Sequence, residues 1–316
     1  MTRQGYLIAM PALLILLAAY FVLAGSGFDT DFIIPRRIAK LCAMIVAAIS
    51  LALSSIVFQT ITGNRILTPA IMGYEAVYLF WQSLLVLLAG TASLTLLGNN
   101  GNFATSVAIM LAYSAFLQRW LFRSGNNTIW LLLLVGFVLT MVINTFSQFV
   151  QLRTSPGEFA IFQSFAQLSF DNLDRQKLGW AAGLLVLVIG IGWRSLALLD
   201  VLSLGRDQSI SLGLDHKRQV RFLMALIAVL VAISTSLVGP SAFVGIFVAN
   251  TAYALNPARK HKVTLPLGAG IAFGLFLIAQ LMVEHVFDYK TTVGILINLT
   301  CGIWFLGLML KQRNVT

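Results

Sequence analysis

Residues 38–60 read IAKLCAMIVAAISLALSSIVFQT, with Lys40 as the one charge in the run. An α-helix rises about 1.5 Å per residue, so a run of this length covers the roughly 30 Å of a bilayer's hydrocarbon core. Working outward, similar apolar runs recur near 6–25, 70–90, 103–122, 129–151, 179–198, 219–238, 242–256, 264–286 and 292–310, about ten in all. They are continuous, whereas barrel strands alternate over about ten residues, and this selects helices. The expected fold is an all-α, polytopic bundle in which residues 1–316 form one transmembrane domain.

Composition agrees. Hydrophobic residues make up 59% of the chain and charged residues 10%, with a mean hydropathy of +0.89. A soluble domain carries roughly a quarter of its residues charged. The formal charge of +10 does not imply nucleic acid, because Lys and Arg sit in short clusters between apolar runs. That is the pattern that orients a membrane protein. With ten spans and a cytoplasmic N-terminus, fourteen of the 21 basic residues fall on one side, Arg194, Arg206, Lys217, Arg218 and Lys262 among them. The other side holds seven: Arg36, Arg37, Lys40, Arg153, Arg175, Lys177 and Lys290. The richer side is expected in the cytoplasm, with both termini, and the membrane is expected to be a bacterial inner membrane. Cys42 and Cys301 each lie inside an apolar run and read as small buried hydrophobes. The first run is long enough to span and reads as a span, not a cleavable signal peptide.

Arg36, Arg37 and Lys40 stand against the general bias. They either snorkel to the interface or form an external docking site for an acidic partner. Two polar loops are long enough for structure of their own. The outer stretch 153–177 carries Phe159, Phe162, Phe165 and Phe170 at about helical spacing and predicts a short amphipathic helix. The inner stretch, about 203–215, contains Gly205 and Gly213 bracketing about two helical turns, with Gly213 suited to a C-terminal cap.

Catalytic chemistry is missing from the sequence. No phosphate-binding loop of the form G-x-x-x-x-G-K-[ST] occurs. His216, His261 and His285 fall in different loops and read as solvated, and no metal-ligand spacing is present. The spans are nearly free of ionisable groups; Glu75 and Glu284 lie near span ends and are expected close to headgroups. An ion-coupled carrier would be expected to place charge deeper, so any energy for transport should come from another subunit. Hydroxyls and amides do form stripes. Thr140, Asn144, Ser147 and Gln151 share one face of the fifth run, and Ser50, Ser54, Ser55 and Gln59 line the second. Such stripes either bond neighbouring helices or wall a polar translocation path. Thr140, Asn144 and Ser147 are the candidate path residues, and Asn127 and Thr128, near the inner end, are the candidate gate.

Four motifs in order then resemble one family. Pro35-Arg36-Arg37 through Gln59, followed by Gly63-Asn64-Arg65-Ile66-Leu67-Thr68-Pro69-Ala70-Ile71-Met72-Gly73, resembles the second-span signature of the iron-siderophore and cobalamin ABC importer permeases (FecCD-type). Leu204-Gly205-Arg206-Asp207-Gln208-Ser209-Ile210-Ser211-Leu212-Gly213 is similar to their L-G-x-x-x-A-x-x-L-G element. Gly239-Pro240-Ser241-Ala242-Phe243-Val244-Gly245 matches G-P-x-x-F-V-G, and Thr292-Val293-Gly294-Ile295 resembles the start of P-V-G-V-V-T. The form N-R-I-L-T-P-x-I-M-G, with Val248-Ala249-Asn250, is similar to the catecholate-siderophore branch.

The resemblance implies the fold of a type II ABC importer permease and a partner set: a second, different permease, two ATPases and a periplasmic or lipid-anchored binding protein. It implies no cofactor on this chain, which is not itself an enzyme; ATP and Mg belong to the ATPase. It makes Leu204, Gly205, Arg206, Asp207, Ser211, Leu212 and Gly213 the ATPase-coupling residues. It makes Arg36 and Arg37 candidates for docking the binding protein. Cobalamin, haem or another iron chelate is the alternative cargo. Two departures bear on docking: Ile33 stands where relatives have the first Arg of R-x-P-R, and Glu284 closes a segment that in relatives ends in Arg.

Overall fold

The computed structural model describes residues 3–24, 31–92, 97–123, 129–171, 173–256 and 260–313, and every regular element among them is helical. In chain order these are α1 (Arg3–Leu23), α2 (Ile33–Thr62), α3 (Tyr74–Ala89), α4 (Gly98–Arg123), α5 (Ile129–Gln151), α6 (Pro156–Ala166) and α7 (Arg175–Gly192). Then come α8 (Leu196–Leu202), α9 (Arg206–Ser211), α10 (His216–Val238), α11 (Ala242–Leu255), α12 (His261–His285) and α13 (Val293–Arg313). Ten of them take up the ten apolar runs; α6, α8 and α9 are short connectors. The segments Ile33–Thr62, Leu133–Gln151, Arg175–Leu202, His216–Val238 and His261–His285 are each long and apolar enough to cross a bilayer, and α1, α3, α11 and α13 carry shorter apolar stretches.

The spine is α2, which packs along its length against α10 and α12. Small side chains, Ala43, Ala47, Ala48, Ala52, Ser54 and Ser55, recur along its buried face among larger ones such as Met44, Ile56 and Phe58. In lipid there is no apolar-from-water gain between helices, so close van der Waals approach has to hold them. Glycines on the neighbours give that approach. A Cβ on Gly268 would stand 2.6 Å from a terminal carbon of Ile56, and one on Gly245 would stand 2.3 Å from Ser55 Oγ. The stripe Ser50, Ser54, Ser55 and Gln59 is therefore buried inside the chain's own bundle.

The helix stops at Gly63, which takes the left-handed φ of 63°. Ile66 N–H donates to Asn64 Oδ1 at 2.9 Å, and Pro69 opens a tight turn to Met72 before α3. Glu75, in the first turn of α3, is not spent on headgroups. Its Oε1 accepts from Ser241 N–H at 2.9 Å, at the start of α11, where the helix dipole favours an anion.

The predicted amphipathic helix is α6. Ser155 and Glu158 form a reciprocal capping box at its start. Phe162 is buried and Phe159 exposed, but Phe170 lies beyond this helix, wholly buried and edge-on to Phe276 at 5.4 Å. The chain there is pinned by Ser169 N–H to Val238 O at 2.9 Å and Gly294 N–H to Leu168 O at 3.2 Å. Gly239 makes the crossing possible: its φ is 97°, and a Cβ there would meet Gln167 O at 2.7 Å.

Candidate coupling surface and translocation path

At the end of the bundle carrying Arg194 and Arg206, α7 breaks into a tight turn at Trp193–Ser195, and α8 and α9 follow. The bracket expected between the two glycines is present, with α9 between them. Gly213 takes φ 83°, Gly213 N–H donates to Ile210 O at 2.9 Å and Leu214 N–H to Ser209 O at 3.1 Å. This pair of bonds is the Schellman cap, which needs a residue free to adopt positive φ. Ser209 faces inward and contacts His216 Nδ1 at 3.0 Å. The rest of the segment faces out: Leu204, Gly205, Arg206, Asp207, Ser211, Leu212 and Gly213 are all exposed, and Ile210 with them. Exposed leucines beside an Arg and an Asp, on a helix capped at its end, suit insertion into a cleft of another protein.

Behind this surface lies a network that sequence reasoning missed. His261 is buried, not solvated. Its Nδ1 stands 2.6 Å from Asp200 Oδ1, and its backbone N–H donates to the same oxygen at 3.0 Å. Its Nε2 lies 2.9 Å from Thr60 Oγ1, which donates to Ile56 O at 2.8 Å and sits 3.3 Å from the Tyr253 hydroxyl. His261 thus ties α8 to the spine α2, where Thr60 in turn meets Tyr253 of α11. The residues lie 61 and 201 positions apart, and Lys260-His261-Lys262 reads as a solvated charge cluster, so no local signal marks the site.

The stripe on α5 divides. Thr140 Oγ1 lies 2.7 Å from Gly136 O and 3.3 Å from Ile71 O, against the turn that follows α2. Ser147 is buried, 3.4 Å from Ser83 Oγ, and accepts from Gln151 Nε2 at 3.0 Å. Asn144 is exposed, on a face with Phe137, Met141 and Phe146. Asn127 and Thr128 lie outside the described residues. A polar cavity of about 340 Å³ at the opposite end of the bundle was not foreseen. Gln82, Asn102, Ser106, Lys177 and Ser236 line it, with Gln82 and Asn102 exchanging hydrogen bonds at 3.1 Å.

At that same opposite end, the basic cluster is largely paired. Lys40 neither snorkels nor points outward: it is buried and donates to Asp171 Oδ1 at 2.6 Å. Arg37 lies 3.5 Å from Glu284 Oε2, donates to the carbonyls of Phe21 and Ala24, and stacks over the Phe21 ring. The departure at Glu284 is thus answered inside the chain, by Arg37. Burial, and then the charge of Glu284, raise the pKa of the neighbouring Tyr289 hydroxyl. Arg36 alone of the two arginines is exposed.

This architecture is shared with known proteins. A solved structure titled as an inward-facing conformation of a metal-chelate type ABC transporter superposes with a TM-score of 0.85, covering 98% of this chain and all of that one at 19% identity. The petrobactin import system permease protein YclO of Bacillus subtilis (strain 168) is 34% identical over 315 residues, 99% of either chain. The petrobactin import system permease protein FatC of Bacillus anthracis is 32% identical over 304 residues, 94% of this chain and 86% of its own. The model of the FecCD transport family matches residues 8–311, and the chain belongs to that family.

Proposed function

We propose that this chain is the membrane-spanning permease of an ATP-driven importer that carries a catecholate-type ferric siderophore, petrobactin or a close analogue, across the cytoplasmic membrane. The observation that carries the reading is the near end-to-end similarity to two petrobactin permeases, which extends through the exposed segment 204–213. The partners are two ATPase subunits at that segment, a second and different permease, and a binding protein at the opposite end. Both termini lie in the cytoplasm, on the arginine-rich side.

In this mechanism the chain hydrolyses nothing. Closure of the ATPases displaces α9, and α8 moves with it. The bonds from Asp200 through His261 to Thr60 carry that displacement into α2 and α12. Because α2 is packed on α10 and α12 throughout, they tilt together, since close-packed interfaces shift between discrete arrangements. Asn144 offers an amide to the passing chelate, while Thr140 and Ser147 hold α5 in register. Asn127 and Thr128 gate the inner end, and Arg36 receives an acidic side chain of the binding protein.

The test is uptake of radiolabelled iron as its petrobactin complex, in cells lacking other siderophore importers, with and without this chain. A hydroxamate chelate and cobalamin serve as controls. Loss of the petrobactin signal alone is the expected result. Unchanged petrobactin uptake with loss of another chelate would discard the substrate and keep the permease.

A further inference from the structure

Where α7 gives way to α8, the bundle leaves a cavity of about 670 Å³ between α2, α7, α10 and α12. Its walls are apolar: Leu53, Val57, Leu226, Leu230 and Leu265 line it. Two local features open it. The helix breaks after Gly192 into the turn Trp193–Ser195, and Pro266 sits inside α12, where the missing N–H weakens the ladder. The mouth is marked by exposed lining residues, Trp193, Arg194, Ala197, Lys262 and Pro266. Two of these are cations, and neither forms an ion pair with a carboxylate among the described residues. No acidic residue lines the cavity among the described residues either.

We infer that this cavity is a binding site for one anionic phospholipid of the leaflet on the arginine-rich side, with an acyl chain in the apolar groove and the headgroup phosphate between Arg194 and Lys262. The charge pattern selects this occupant. An apolar groove between spanning helices takes up hydrocarbon, and basic residues at its rim favour an anionic headgroup over a zwitterionic one. An exposed Trp193 at the same level is the side chain that prefers the headgroup boundary. A protein segment filling the groove would have to meet two unpaired cations at its rim and an apolar wall behind them. His261, held by Asp200, also lines the cavity, so bound lipid would buttress the α8 end of the coupling network.

The inference rests on the membrane reading but not on the identity of the cargo, so the test reads lipid and not uptake. Native mass spectrometry of the detergent-extracted transporter is titrated with phosphatidylglycerol, and separately with phosphatidylcholine of the same acyl chains. One phosphatidylglycerol per copy is expected to survive activation that strips phosphatidylcholine. Arg194→Gln with Lys262→Gln should weaken retention by about 30-fold, since each basic residue at an anionic surface contributes about a factor of five. Arg194→Lys with Lys262→Arg should keep it, which separates charge from folding. Ala269→Phe, in the groove wall, should reduce retention with both cations in place. Equal retention of the two lipids, full retention by the glutamine pair, no effect of Ala269→Phe, displacement by glycerol 3-phosphate alone, or no retained lipid in the assembled transporter would each overturn the site.

Discussion

The two ends of the bundle carry the same kinds of side chain and use them oppositely. At the end near α9, Arg206 and Asp207 stand exposed beside Leu204, Ile210 and Leu212, and nothing among the described residues covers them. At the other end, Arg37 and Lys40 are drawn inward onto Glu284 and Asp171, and of that cluster Arg36 is left facing out. The difference teaches how to read a charge at the rim of a membrane bundle. A charge with an internal partner fixes helices to each other, whereas a charge beside exposed leucines is left available to another protein, the role proposed above for this surface.

The sharpest way to break that contrast is to put a charge among the exposed leucines. Leu212→Asp leaves every internal hydrogen bond of the segment in place. Losing one anchor at a protein interface costs about 2 kcal/mol or more, about 30-fold in affinity, and an added carboxylate raises the cost. Uptake should fall by at least that factor, and the ATPase should no longer co-purify with the permease, while membrane insertion is unchanged. Asp207→Ala and Arg206→Ala should uncouple transport to a lesser degree. Normal uptake in all three would remove the coupling role from this surface.

Asp200→Asn comes next, because it acts behind the surface and not on it. The amide keeps the volume of the acid but loses the charge-assisted contact to His261. Weakening a hydrogen bond to a charged, partly buried partner costs about 1–3 kcal/mol. In proteoliposomes, ATP hydrolysis stimulated by the binding protein should persist while uptake per ATP falls several-fold. An equal fall in both would make Asp200 a folding residue only.

These two regions also mark how far the sequence could be read. The ten helices were legible because apolar runs of span length have few other uses. The Gly-bracketed helix was legible because Gly205 and Gly213 are adjacent in sequence to what they cap. His261 was not, since its partners, Asp200 and Thr60, arrive from other helices, and the flanking Lys260 and Lys262 argue for solvent. The stripe on α5 was half legible. A helical spacing fixes which side chains share a face, but Thr140 and Ser147 met Ile71 and Ser83, and which neighbour a face meets is a tertiary fact.

At the paired end, a double-mutant cycle sharpens the comparison. Glu284 is nearly buried and also accepts from Gln280 Nε2 at 2.8 Å, while Arg37 keeps two carbonyl partners. Arg37→Gln should therefore lower the melting temperature more than Glu284→Gln, since it strands the buried charge. The double variant should recover part of the loss, with a coupling energy of about 0.5–3 kcal/mol. Uptake by Glu284→Gln should stay within about twofold of the parent, as its small cost in stability leaves docking untouched. Additive losses would mean that the pair does not hold α2 to α12.

The smallest effect belongs to Arg36. It is exposed, and an exposed ion pair is worth about 0.2–1 kcal/mol, so Arg36→Gln should weaken the binding protein's apparent affinity by only about two- to fivefold. A rim charge acts mostly on the rate of encounter. The loss should therefore be largest at low salt, shrink as salt rises, vanish at saturating binding protein, and be mostly restored by Arg36→Lys. A fall as deep as that of Leu212→Asp would place essential machinery at this end too, and the contrast between the two ends would fail. No change even at low salt would take Arg36 out of docking, and the contact would then have to come from another exposed cation of this end or from the second permease.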